Sequence, residues 1–125
     1  MEIISVSVDA QTKKKIEDSM QTSGCKSRSK LVAMAIDSLA RELAPLEGLT
    51  GAHTAVITVV SNEETPDVSH IIHQHPGIVK LNSHLDSKRG CAEILVVEGD
   101  AKKIRELYKA LRNTRDVKSV NFALA

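Results

Sequence analysis

The chain has no tryptophan, one tyrosine and one phenylalanine in 125 residues. A core without aromatic volume must be built from Val, Ile, Leu and Ala, and small domains of this kind often depend on oligomerisation. An excess of one charge is also lacking: 17 Lys and Arg stand against 16 Asp and Glu, a formal net charge of +1. Any nucleic-acid footprint must then be local. Cysteine is scarce, with Cys25 and Cys91 in different segments. In a chain without a secretory signal these read as reduced thiols or a metal site rather than a disulfide. No apolar run approaches the ~20 residues that span a membrane and the N-terminus has no apolar signal core, so a cytoplasmic protein with no membrane partner is expected. No nucleophile–base pair, glycine-rich phosphate loop or acid pair at useful spacing occurs, which argues against an enzyme.

The richest stretch is Met1 to Leu43. Ile4, Val6 and Val8 alternate with Ser5 and Ser7, the periodicity of a strand with one buried face. A lone strand needs a partner, and the simplest is the same strand of a second copy. An antiparallel ribbon backed by two helices per subunit fits the DNA major groove. Asp9 is a good N-cap for a first helix with Ile16 and Met20, which Ser23-Gly24 ends. Ser27-Arg28-Ser29 opens a second helix, with Ser29 fitting as its N-cap and Val32, Ala35, Ile36, Leu39 and Leu43 on one stripe. Pro45 stops it, and residues 45–51 read as a linker.

From residue 52 the pattern changes. His53–Val60 is β-branched and strand-like, and Thr65-Pro66-Asp67 opens a helix running to about His73. Ile78–Leu85 and Cys91–Val97 are strands around a turn, Asp86-Ser87-Lys88-Arg89-Gly90. Gly99-Asp100 caps a helix with Ala101, Ile104, Leu107, Tyr108 and Leu111 on one stripe, and Val117–Leu124 is a final strand. The order β-α-β-β-α-β is the ferredoxin-like unit, and the fold class is α+β.

Two stretches carry a family resemblance. The alternating strand ending in Val8-Asp9 and the turn Ser23-Gly24-Cys25-Lys26-Ser27-Arg28-Ser29 resemble ribbon–helix–helix DNA-binding proteins. Cys91-Ala92-Glu93-Ile94-Leu95-Val96-Val97-Glu98-Gly99-Asp100, with His84 upstream and Arg115-Asp116-Val117-Lys118 downstream, resembles the ACT-like regulatory domain of the nickel-responsive regulators. The resemblance implies a ribbon–helix–helix domain over 1–44, a linker over 45–51 and an ACT-like ligand-binding and oligomerisation domain over 52–125. It further implies a regulator that binds a double-stranded DNA operator, dimeric through the ribbon and tetrameric through the ACT-like domains.

On the ribbon, Ile3, Ser5 and Ser7 share the face that would enter the groove; serine hydroxyls can meet either kind of base edge. Arg28 and Ser29, at the start of the second helix, suit a phosphate. A solvated polar ribbon face and ordinary helix capping explain the same residues without DNA. For the metal, the resemblance implies two strand histidines spaced by one residue, a cysteine, and a histidine from a partner subunit. His84 and Cys91 match the second histidine and the cysteine, whereas Asn82 stands at the first position and the loop before Cys91 is one residue longer. His75 is the first choice for the cross-subunit ligand and His73 its substitute. Nickel, zinc in tetrahedral geometry, or a vestigial site remain open. A metabolite-sensing ACT-like module, or a C-terminal domain that only oligomerises, are the alternatives.

Overall fold

Asp9 sets where the first helix begins. Its Oδ1 accepts the Thr12 backbone N–H at 2.7 Å, and α1 runs Ala10–Ser23 in this computed structural model, which describes residues 1–62 and 66–125. Gly24, left-handed at φ 72°, closes α1, and its N–H donates to the Gln21 carbonyl. That conformation suits glycine, which has no Cβ to clash. The second helix, α2, runs Arg28–Leu43. Its cap is Ser27, not Ser29: Ser27 Oγ accepts the Lys30 N–H at 3.3 Å, and the Ser27 carbonyl accepts the first helical bond, from Leu31. A cap must lie outside the helix with its hydroxyl facing the third residue on. Ser29 already lies within the first turn.

The chain divides into two compact units, residues 1–41 and 42–125. In the first, residues 1–9 form no strand, which corrects the expectation for Ile3–Val8 within one chain. The physical reason is the one the alternation implied: a strand needs a neighbour, and no described residue of the same chain supplies it. Ile3, Ile4, Val6, Val32, Ile36 and Leu39 are exposed, and neither α1 nor α2 holds a buried residue. Cys25 is the buried exception, its Sγ 3.7 Å from the Ser27 carbonyl oxygen and 4.0 Å from Met34 Sδ.

The second unit is a four-stranded antiparallel sheet with helices on one face. Its elements are β1 (Ala52–Ser61), α3 (Pro66–Gln74), β2 (Val79–Ser87), β3 (Gly90–Asp100), α4 (Ala101–Arg112) and β4 (Val117–Leu124). Thr65, expected to help open α3, lies outside the described residues. The strand order β2-β3-β1-β4 is that of a ferredoxin-like, ACT-like fold. Along β1 and β3 the odd-numbered residues Ala55, Ile57, Val59, Cys91, Glu93, Leu95 and Val97 are buried, the alternation of a sheet covered on one side. Ala101, Ile104, Leu107, Tyr108 and Leu111 of α4 are all buried against that face, as their spacing predicts. Asp100 caps α4, its Oδ2 accepting the Lys102 N–H at 3.0 Å. The segment after α2 is tied down as well: Leu46 is buried, and Arg105 Nη1 donates to the Leu46 and Leu49 carbonyls at 3.2 and 2.6 Å.

The β2–β3 hairpin positions the site. Sequence placed a five-residue turn at Asp86–Gly90, but the strands pair as far as Ser87 opposite Gly90, leaving only Lys88 and Arg89 at the tip. Ser87 Oγ accepts the Arg89 N–H at 3.2 Å and donates to the Gly90 carbonyl at 3.0 Å, which stabilises so tight a reversal. Asp86 is therefore a strand residue, directly opposite Cys91.

Candidate metal centre

Directly opposed residues of an antiparallel pair project from the same face. His84 stands opposite Glu93, and Asp86 opposite Cys91. Period two then places His84, Asp86, Cys91 and Glu93 together on the face that also bears Leu95. Because β2 is the edge strand, His84 stays partly open to solvent while Cys91 and Glu93 are buried.

The resulting contacts are short. His84 Nδ1 donates to Glu93 Oε1 at 3.0 Å, and Nε2 lies 2.8 Å from Asp86 Oδ1. Carboxylates accept from the ring; the Glu93 bond, then the Asp86 bond, raise the His84 pKa above its ordinary value. Cys91 Sγ lies 3.3 and 3.5 Å from the two ring nitrogens. Burial, followed by the adjacent Asp86 carboxylate, pushes the thiol pKa up. One donor atom each from His84, Asp86 and Cys91 lies within 4.8 Å of the other two.

This donor set fits a late transition metal. A four-coordinate ion with ligand bonds of about 2.0–2.3 Å has its donors roughly 3–4 Å apart, so closure around an ion needs side-chain adjustment rather than a new backbone. Imidazole and thiolate are ligands such ions prefer. Glu93, fixing the ring through Nδ1, leaves Nε2 to face the ion, the support typical of metal-bound histidines. Glu93 Oε2 is buried and has no hydrogen-bond partner among the described residues.

The other expected residues lie elsewhere. His75 follows α3; its Nδ1–H donates to the Ile71 carbonyl at 2.8 Å, a bond that does not engage Nε2. It lines a hollow with Gln74, Pro76, Ile78, Lys103 and Glu106 and is not in the His84–Cys91 cluster of its own chain. His73 is exposed in the last turn of α3. Asn82 pairs with Leu95, two positions along β2 from His84. Ile3, Ser5, Ser7 and Ser29 are exposed, and Arg28 lies 3.9 Å from Glu17 with both side chains well solvated. Sequence reasoning missed Asp86 because it was assigned to the turn. The available signal was its i+2 spacing from His84.

The fold and the cluster define a class: a small α+β domain with a candidate thiolate–imidazole metal centre at its sheet edge. Residues 54–125 match the family described as the NikR C terminal nickel binding domain, and the chain belongs to that family. Nickel is thus the metal the family implies. Over 130 residues the chain is 30% identical to a protein of Methanocaldococcus jannaschii, covering 99% of this chain and 92% of that one. A Haloarcula marismortui protein is 29% identical over 129 residues, covering 99% and 93%. Both are named "Putative nickel-responsive regulator". Among solved structures, an uncharacterized protein of Thermotoga maritima superposes with a TM-score of 0.54 at 18% identity, covering 59% of this chain and 98% of that chain, a likeness of fold.

Proposed function

We propose that the protein is a nickel-responsive, sequence-specific DNA-binding regulator. The observation that carries this reading is the juxtaposition of His84 and Cys91 across the β2–β3 pair, 3.3 Å apart, in a domain of the nickel-binding family. Cys91 and His84 supply thiolate and imidazole; His75 of a second copy, with His73 as its substitute, supplies another imidazole. The Nδ1–H bond of His75, which does not engage Nε2, supports that role. In this reading residues 1–44 are a ribbon–helix–helix domain, 45–51 a linker and 52–125 the ligand-binding and oligomerising domain.

Two sets of exposed apolar residues support an assembly. Ile4, Val6 and Val8 alternate along an unpaired segment, the pattern of a ribbon completed by a second copy. On the second unit, Leu81, Leu85, Ile94 and Val60 lie on the sheet face opposite the helices and are exposed, a surface suited to joining two dimers. With the ribbon paired, Ile3, Ser5 and Ser7 face the major groove. The N-terminus of α2, with Arg28 and Ser29, holds a phosphate. Nickel bound between dimers biases the placement of the two DNA-binding heads.

The test is operator selection from a random duplex library with and without nickel, followed by binding of variants. Ser5→Ala with Ser7→Ala should weaken specific binding more than non-specific binding. Arg28→Ala should weaken both and flatten the salt dependence. A protein that selects no sequence in either metal state would overturn the reading.

A further inference from the structure

We propose that Asp86 is a third metal ligand within the subunit, giving an N/O/S donor set for nickel with His84 and Cys91. The proposal rests on the metal-binding reading above and extends it to the coordination of the ion.

The hairpin register carries the argument. Asp86 is opposite Cys91 and two residues from His84 on one strand face, so β2 and β3 deliver three chemically different donors to one point. Asp86 Oδ1 already lies 2.8 Å from His84 Nε2, the nitrogen left to a metal once Glu93 holds Nδ1. Nε2, Oδ1 and Sγ would together hold a cation. Its charge is then met by a thiolate and a carboxylate, with the Glu93 carboxylate behind the ring. Of the residues flanking His84 on this face, Asn82 offers a neutral amide opposite Leu95, and Asp86 offers an anionic oxygen opposite the thiol.

The donor types set the preference among ions. Imidazole suits nickel and zinc alike, thiolate is a soft donor, and a carboxylate adds a harder anionic oxygen. Such a set narrows the margin between nickel and zinc, which takes the same three donor types.

The experiment is nickel titration of the full-length protein, followed by absorbance. The wild type, Asp86→Ala, Asp86→His and Cys91→Ala are compared, with metal-free melting curves to check folding. The expected result is stoichiometric nickel binding by the wild type, at least tenfold weaker binding in Asp86→Ala, and tight binding retained in Asp86→His. Asp86→Ala binding as tightly as wild type while Cys91→Ala does not bind would overturn the Asp86 assignment and leave the metal site standing. Equal binding by all four proteins would sink the site itself.

Discussion

Gly90 begins β3 immediately before Cys91, and its replacement by Ala should be among the most damaging single-methyl changes in the second unit. Two penalties add. Gly90 has φ 149°, a region that L side chains rarely enter, at a cost of about 1–3 kcal/mol. A Cβ there would lie 2.5 Å from the Ser61 carbonyl oxygen and 3.2 Å from that of Asn62. Both are backbone atoms, so either β1 or the hairpin must move, which adds about 1–3 kcal/mol. The control is Gly77→Ala: φ is 84°, but no atom lies within 4 Å of the added Cβ, so only the left-handed penalty of about 1–2 kcal/mol applies. In a domain this size each kcal/mol moves the melting midpoint by about 4–8 °C. Thermal unfolding of the metal-free proteins, followed by circular dichroism, should place Gly90→Ala at least about 10 °C below wild type and clearly below Gly77→Ala. Because Ser61 pairs with Cys91, the same variant should also bind nickel less tightly. Equal midpoints for the two alanine variants would refute the close approach of the hairpin to β1.

The remaining expectations are simpler. Leu107, fully buried in α4, should cost about 2–5 kcal/mol as Leu107→Ala, measured by urea unfolding. Ile94→Lys, on the open sheet face, should leave the fold intact and lower the oligomeric state found for wild type in sedimentation experiments; an unchanged state would remove that face from the proposed assembly. The Thr12 N–H bond holds the Asp9 carboxyl below its ordinary value, so its stabilisation of α1 is full above pH ~3.8 and is lost as pH falls through the lower folded value. Helicity of Asp9→Asn should lack that acid step while wild type shows it. Nickel affinity should fall with acid, because the thiol of Cys91 and the ring of His84 must both give up a proton to bind.

What could be read in the sequence was what depends on local periodicity. The Ala101–Leu111 stripe of α4 and the β-branched run of β1 state their buried faces outright, and the βαββαβ order follows from them. What could not be read depended on a neighbour. The strand pattern of Ile3–Val8 is plain, yet one chain gives it nothing to pair with. Ser27 and Ser29 are equally good caps by residue type; only the helix register chooses Ser27. Asp86-Ser87-Lys88-Arg89-Gly90 has the composition of a loop, but cross-strand bonds carry the ladder through Ser87, and that shift of the boundary brings Asp86 to the thiol. Glu93 is legible in the sequence only as a member of the Cys91–Val97 strand; its burial and its bond to His84, which make it a support for the ring, depend on the strand pairing.

The most direct test of the central claim is a nickel titration of the purified wild-type and Cys91→Ala proteins, followed by the thiolate-to-metal absorption band. Stoichiometric binding per subunit with that band, abolished in Cys91→Ala, is the predicted result. A Cys91→Ala protein that binds nickel as tightly as wild type would contradict a metal centre at the β2–β3 hairpin.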